Sequence, residues 1–225
     1  MDSTAEWARE IARHHLESAL PRRWAHTQGV ARQARTLAPL LGDRAGLLEA
    51  AAWLHDLGYA PDLVVTGFHP LDGARFLRDA HYADEHLCRL VAHHSCAVVE
   101  ARERGLVDEL TSEFGTEPPE LTDSLIYCDM TTSPDGEELA VEDRLSEILS
   151  RYGDGHLVTR SITTSSPHII GAVHRVRDEL MSAPMSRSGD DRLLPILQVV
   201  ADAELHRSVH LPVCGLVGGD PEDFA

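Results

Sequence analysis

Apolar residues recur at three- and four-residue spacing along almost all of this 225-residue chain. No stretch alternates apolar with polar residues long enough to make a half-buried strand. The fold class this predicts is all-α. Breakers divide the pattern into helices over about 3–18, from Pro21 to Gly42 (with Val30, Ala34, Leu37 and Leu41 on one face), over 44–57 with Gly58 as the stop, and from Pro70 to about 79. Further helices are expected over about 83–99 with an extension towards 103, and over 105–111, 121–130 and 141–151. The last two are placed at 167–181, capped by Ser166 with Pro167 in its first turn, and at about 192–207. Residues 1–182 read as one helical domain, and residues 183–225 as a linker, a short helix and an acidic Gly-rich tail.

Four of these apolar stripes carry an ionisable residue. His26 precedes Val30 and Ala34 by four and eight positions. His55 follows Leu48, Ala51 and Ala52 by seven, four and three, with Asp56 next to it at the helix end. His94 bears the same relation to Leu87, Leu90 and Val91, and Asp129 follows Leu121 and Leu125 by eight and four. An unpaired carboxylate on such a face costs several kcal/mol or takes up a proton, roughly as for any buried charge. A shared metal ion resolves all four conflicts, and imidazole with carboxylate suits Fe, Mn, Co, Ni or Zn better than Ca or Mg.

Composition narrows the chemistry. The chain has fourteen His, no Lys and no Asn, so a Schiff-base lysine, a P-loop lysine and a Cys-His-Asn triad are all excluded. A net charge of −17 spread along the chain disfavours nucleic-acid polymers and anionic membranes. A phosphorylated small molecule needs that field offset locally, which bound divalent cations do. Cys88, Cys96, Cys128 and Cys214 include no C-x-x-C pair and read as reduced thiols. Residues 1–6 lack the basic and apolar segments of a signal peptide, so a cytoplasmic protein is expected. Oligomeric state is left open.

The order His26, His55-Asp56, Asp129 resembles the HD-domain metal-dependent phosphohydrolase superfamily over about residues 20–135. With His69 and the pair His93-His94 between the second and last elements, the layout is most similar to the expanded, two-metal subgroup and its bacterial dinucleoside-polyphosphate hydrolases. The resemblance implies a helical bundle with the metal site in its core. It implies that His26, His55, Asp56 and Asp129 hold one metal, and that Asp56 bridges to a second held by His69 and His94; iron or manganese is favoured, with cobalt, nickel or zinc also compatible. His93 is a further candidate, because HD-GYP cyclic-dinucleotide phosphodiesterases use a double histidine; the facing of the helix favours His94. The GYP motif itself is absent, since Ser95-Cys96-Ala97 follows the pair.

The activity implied is hydrolysis of a phosphoester or phosphoanhydride in a nucleotide-like small molecule, by a hydroxide shared between the two metals and oriented by Asp56. Relatives with the same ligand set include di-iron oxygenases, and a regulatory module with structural metals is a third reading. Many HD hydrolases place a phosphate-gripping lysine three residues after the HD pair. Here that position is Tyr59, and Arg23, one helical turn before His26, is the nearest replacement, followed by Arg22. Asp72 and the segment Thr131-Thr132-Ser133 could line a substrate mouth or serve turn chemistry. His206 and His210, four apart, are read as bland.

Overall fold

The structure, a computed structural model, describes residues 3–183. Its helices are α1 (Ser3–Leu16), α2 (Pro21–Thr36), α3 (Ala38–Leu41), α4 (Ala45–Leu54), α5 (His69–His81), α6 (Glu85–His93), α7 (Ala97–Arg104), α8 (Val107–Glu113), α9 (Pro119–Met130), α10 (Val141–Tyr152) and α11 (Leu157–Ser182). Three short 3-10 turns, Gly42–Arg44, Leu57–Tyr59 and His94–Cys96, link them. Among the described residues the fold is all-α, with one isolated antiparallel bridge between Thr132 and Glu138. None of these helices is long and apolar enough to cross a membrane. The helix expected at 192–207, the acidic tail, Cys214, His206 and His210 lie outside the described residues.

The bundle is organised around α4. Leu48, Ala50, Ala51, Ala52 and Leu54 are all fully buried, so apart from Glu49, which pairs with Arg35, the second half of this helix is apolar and belongs in the interior. It packs against α1, α2, α6 and α9, and its small alanines let those neighbours approach closely. Trp53 at its end stacks on Trp24 of α2, with ring centroids 5.5 Å apart. Helix α11 covers α9, α10 and α7.

Several boundaries depart from the periodic pattern. The helix expected from Pro21 to Gly42 breaks at Leu37, because Pro39 removes a backbone donor and its ring opposes the carbonyl of Arg35. Helix α4 ends at Leu54, before His55-Asp56, so Gly58 is not its stop. A Cβ on Gly58 would lie 2.1 Å from the His69 carbonyl oxygen. The missing side chain therefore lets the start of α5 rest on the turn that carries Asp56.

The single helix expected over 83–99 is two, α6 and α7, separated by Ser95 and Cys96 in left-handed conformations (φ 46° and 64°). The helix expected to start at Pro167 begins ten residues earlier, at Leu157. Its buried stripe of Ser161, Ser165, Ile169, Ala172 and Val173 runs straight through, with Pro167 on the exposed side. Burial of that stripe outweighs the roughly 3 kcal/mol a mid-helix proline costs. Ser166, expected as an N-cap, instead donates its hydroxyl to the Ile162 carbonyl one turn back.

Candidate metal centre

Five helix ends or helix faces deliver ionisable groups to one place. His26 comes from the middle of α2, His55 and Asp56 from the turn after α4, His69 from the first position of α5, His94 from the end of α6 and Asp129 from the last turn of α9. His55 is fully buried, and His26, Asp56, His94 and Asp129 are between 3% and 7% exposed. Their ligand atoms form two groups, His26 with His55 and Asp129, and Asp56 with His69 and His94, the atoms of each group lying within 4.8 Å of one another.

The backbone settles how three of the imidazoles are presented. Nδ1 of His26 lies 2.9 Å from the Ser133 carbonyl, Nδ1 of His55 lies 2.9 Å from that of Ala52, and Nδ1 of His94 lies 2.7 Å from that of Val91. A carbonyl only accepts, so each Nδ1 carries a proton and each ring turns its Nε2 to the interior. Those Nε2 atoms face carboxylates and one another. His26 Nε2 is 3.0 Å from Asp129 Oδ1, and His55 Nε2 is 3.4 Å from Asp56 Oδ2 and has no hydrogen-bond partner among the described residues. His94 Nε2 sits 3.1 Å from His69 Nε2. Imidazole nitrogens packed this closely against buried carboxylates call for positive charge between them, a proton or a metal ion. Divalent metal fits that requirement, with the donor softness of imidazole and carboxylate.

Asp56 stands between the two groups. Its Oδ2 faces His55 at 3.4 Å and His26 at 3.9 Å, while its Oδ1 faces His69 at 3.5 Å and His94 at 3.9 Å. Burial opposes ionisation of Asp56, but His55 and Arg23 outweigh it and hold the carboxyl well below the usual range. Burial acts on Asp129 in the same way and is outweighed by His26 and His55, so it too is a carboxylate. Burial also works against a charged His55, yet Asp56 and Asp129 push its pKa up to about 9. His69 and His94 go the other way: burial, reinforced by His94 for the former and by His55 for the latter, lowers both and favours their neutral forms.

Arg23 reaches the cluster as expected of a residue one turn before His26. Its Nη1 donates to Asp56 Oδ2 at 2.6 Å, and its guanidinium lies 3.5 Å from the centroid of the Tyr59 ring. Tyr59 stacks in turn on His69, at 3.8 Å between centroids. Burial raises the Tyr59 pKa, so the phenol stays neutral and serves as a flat spacer between Arg23 and His69. Arg22, by contrast, points to exposed Asp135 at 3.1 Å.

His93 does not join the cluster. Its Nε2 donates to the Phe114 carbonyl at 2.8 Å. Asp72 belongs to a turn: its carboxylate accepts from the backbone N–H groups of Val65, Thr66 and Gly67 and from the Thr66 hydroxyl. Thr131 and Thr132 donate their hydroxyls back to Tyr127 and Cys128. Neither feature lines a mouth.

Two contributors escape a search for histidines on apolar stripes. Ser95 donates its hydroxyl to Asp129 Oδ2, and the left-handed backbone at Ser95 and Cys96 marks the turn that brings it there. No turn residue announces this, because neither Ser nor Cys favours positive φ. Arg144 is only 8% exposed and lines the same cavity. It stands three residues after Val141 and four before Ile148, both buried, so the rule that selects His26 or Asp129 selects Arg144 as well.

Comparison with known proteins places this geometry. The chain matches the HD domain family over residues 23–148, a span that contains every residue of the cluster. No curated protein and no solved structure matches the chain.

Proposed function

Because the chain belongs to the HD domain family, we propose that it is a metal-dependent phosphohydrolase acting on a phosphoester or phosphoanhydride of a nucleotide-like small molecule. The observation that carries this reading is Asp56, whose one oxygen faces His26 and His55 and whose other faces His69 and His94, two groups of candidate metal ligands. His26, His55 and Asp129 would hold one divalent metal, His69 and His94 a second, and Asp56 would contact both. Such a pair supplies Lewis acidity to a phosphoryl group and acidifies water at neutral pH.

The chain's own part is positioning. The carbonyls of Ser133, Ala52 and Val91 hold the rings of His26, His55 and His94 with Nε2 turned into the cluster. Arg23, braced by Asp56 and the Tyr59 ring, stands where phosphoryl oxygens would enter and takes the role that lysine has in many relatives. The helices above the cluster limit solvent access, with Ile148, Val158 and Ile162 contributing apolar wall. A small phosphorylated molecule suits this narrow, enclosed site, and neither a nucleic-acid polymer nor a membrane is a partner in this reading.

The test is phosphate release by the metal-loaded protein from a panel of dinucleoside polyphosphates, nucleoside monophosphates, cyclic dinucleotides and a generic phosphodiester. Turnover of at least one member without oxygen is expected, and it would separate hydrolysis from di-iron oxygenase chemistry. No turnover of any member with metal bound would overturn the proposal.

A further inference from the structure

The family's metal ligands form the floor of the cavity, but its roof carries charge that they do not explain. Helix α10 contributes Arg144 and Arg151, seven residues and so about two turns apart on one face. Both line the cavity that also opens onto Arg23, Asp56, His69 and Asp129. Glu147 lies between them on the same helix. Its Oε2 accepts from Arg144 Nη1 at 2.5 Å and its Oε1 from Arg151 Nε at 3.0 Å.

That bridge leaves two things unsatisfied. One carboxylate neutralises one of two guanidinium charges, so a positive charge remains over the metal floor of a chain whose net charge is −17. Both carboxylate oxygens are engaged, and Arg144 Nε, in a side chain 9% exposed, has no hydrogen-bond partner among the described residues. A buried donor left empty is costly unless something arrives to fill it. A planar carboxylate cannot serve both forks fully, whereas a phosphate presents three peripheral oxygens in a tetrahedral array that suits guanidinium donors.

We propose that Arg144 and Arg151 form a second anion subsite, which takes a non-reacting phosphate of the substrate while the reacting phosphoryl group lies on the floor beside Arg23. This deepens the phosphohydrolase reading and rests on it: the substrate has two linked phosphates. In the hydrolysis a water oxygen forms the new bond to phosphorus. The bridging P–O bond breaks, and its electron pair stays on the leaving phosphate, beside Arg144 and Arg151. One water proton stays on the product phosphate and the other passes to solvent. Glu147 is the internal anion that the substrate phosphate displaces.

The probes are inorganic pyrophosphate and inorganic phosphate, with binding to the metal-loaded protein measured by calorimetry. Arg151→Gln is the main variant, because Arg151 is the more exposed of the pair (side chain 21%). It is expected to weaken pyrophosphate binding about ten-fold more than orthophosphate binding, as loss of one charged hydrogen bond implies. Glu147→Gln removes the competing anion and should tighten pyrophosphate binding, a gain that a merely structural Arg144–Glu147–Arg151 network would not give.

Equal weakening of both probes by Arg151→Gln, or weaker pyrophosphate binding in Glu147→Gln, would overturn the subsite. Either result alongside wild-type phosphate release leaves the phosphohydrolase reading standing. A wild-type protein that is loaded with metal, binds neither probe and releases no phosphate overturns both.

Discussion

Two pairs of adjacent ionisable residues stand at helix ends beside the cluster, His55-Asp56 just after α4 and His93-His94 at the end of α6, and the two behave differently. After α4 the backbone continues in helical and near-helical conformations, φ −56° at His55 and −97° at Asp56. Both side chains enter the cluster. After α6 the backbone swings out at His94 (φ −59°, ψ 151°) and then through two left-handed residues. His94 enters, while His93 is left bonded to the Phe114 carbonyl. Adjacency in sequence therefore does not decide which members of a pair are ligands; the turn that follows the helix does.

Substitutions at the two ends should sharpen that contrast. The largest effect is expected for Asp56→Ala, which removes the one carboxylate facing both groups; metal content and phosphate release should both be lost when measured by elemental analysis and phosphate assay. Next, His94→Ala should lose one metal with most of the turnover and keep the other, since His26, His55 and Asp129 form their own group. Full metal content in that variant would dissolve the distinction between the two ends.

A smaller loss is expected from Ser95→Ala, which takes a hydroxyl donor from Asp129 Oδ2. Metal affinity in a competitive chelator titration should fall about 10- to 100-fold, as for other outer-shell partners, with the helical signal unchanged. His93→Ala should do least. It forfeits a single hydrogen bond, about 1 kcal/mol of stability, visible as a modest drop in the thermal midpoint with metal content intact. Metal loss there would return His93 to the ligand set.

Much of the floor was legible because ionisable residues on apolar stripes are conspicuous. His26, His55, His94 and Asp129 follow from helical spacing alone. His69 does not: it precedes a proline after a loop, and only the resemblance to HD proteins assigns it a place. What puts it there is the bare Cα of Gly58 against the His69 carbonyl, a contact between segments that no local pattern encodes. The break at Ser95-Cys96 was hidden because tertiary packing, rather than a turn-forming residue, imposes it. The early start of α11 was hidden by Ser166-Pro167, which reads as a helix beginning and is overridden by the stripe beneath it. Arg144 was legible in principle, on the same spacing as the histidines, but a cation on an apolar stripe draws notice only once its carboxylate neighbours are known.

The account stands on the claim that the buried imidazoles and carboxylates around Asp56 exist to hold metal. Elemental analysis of the purified protein after loading with iron or manganese tests this most directly. The account predicts about two divalent ions per chain, as a two-metal hydrolytic centre requires. A folded protein that retains none would contradict it.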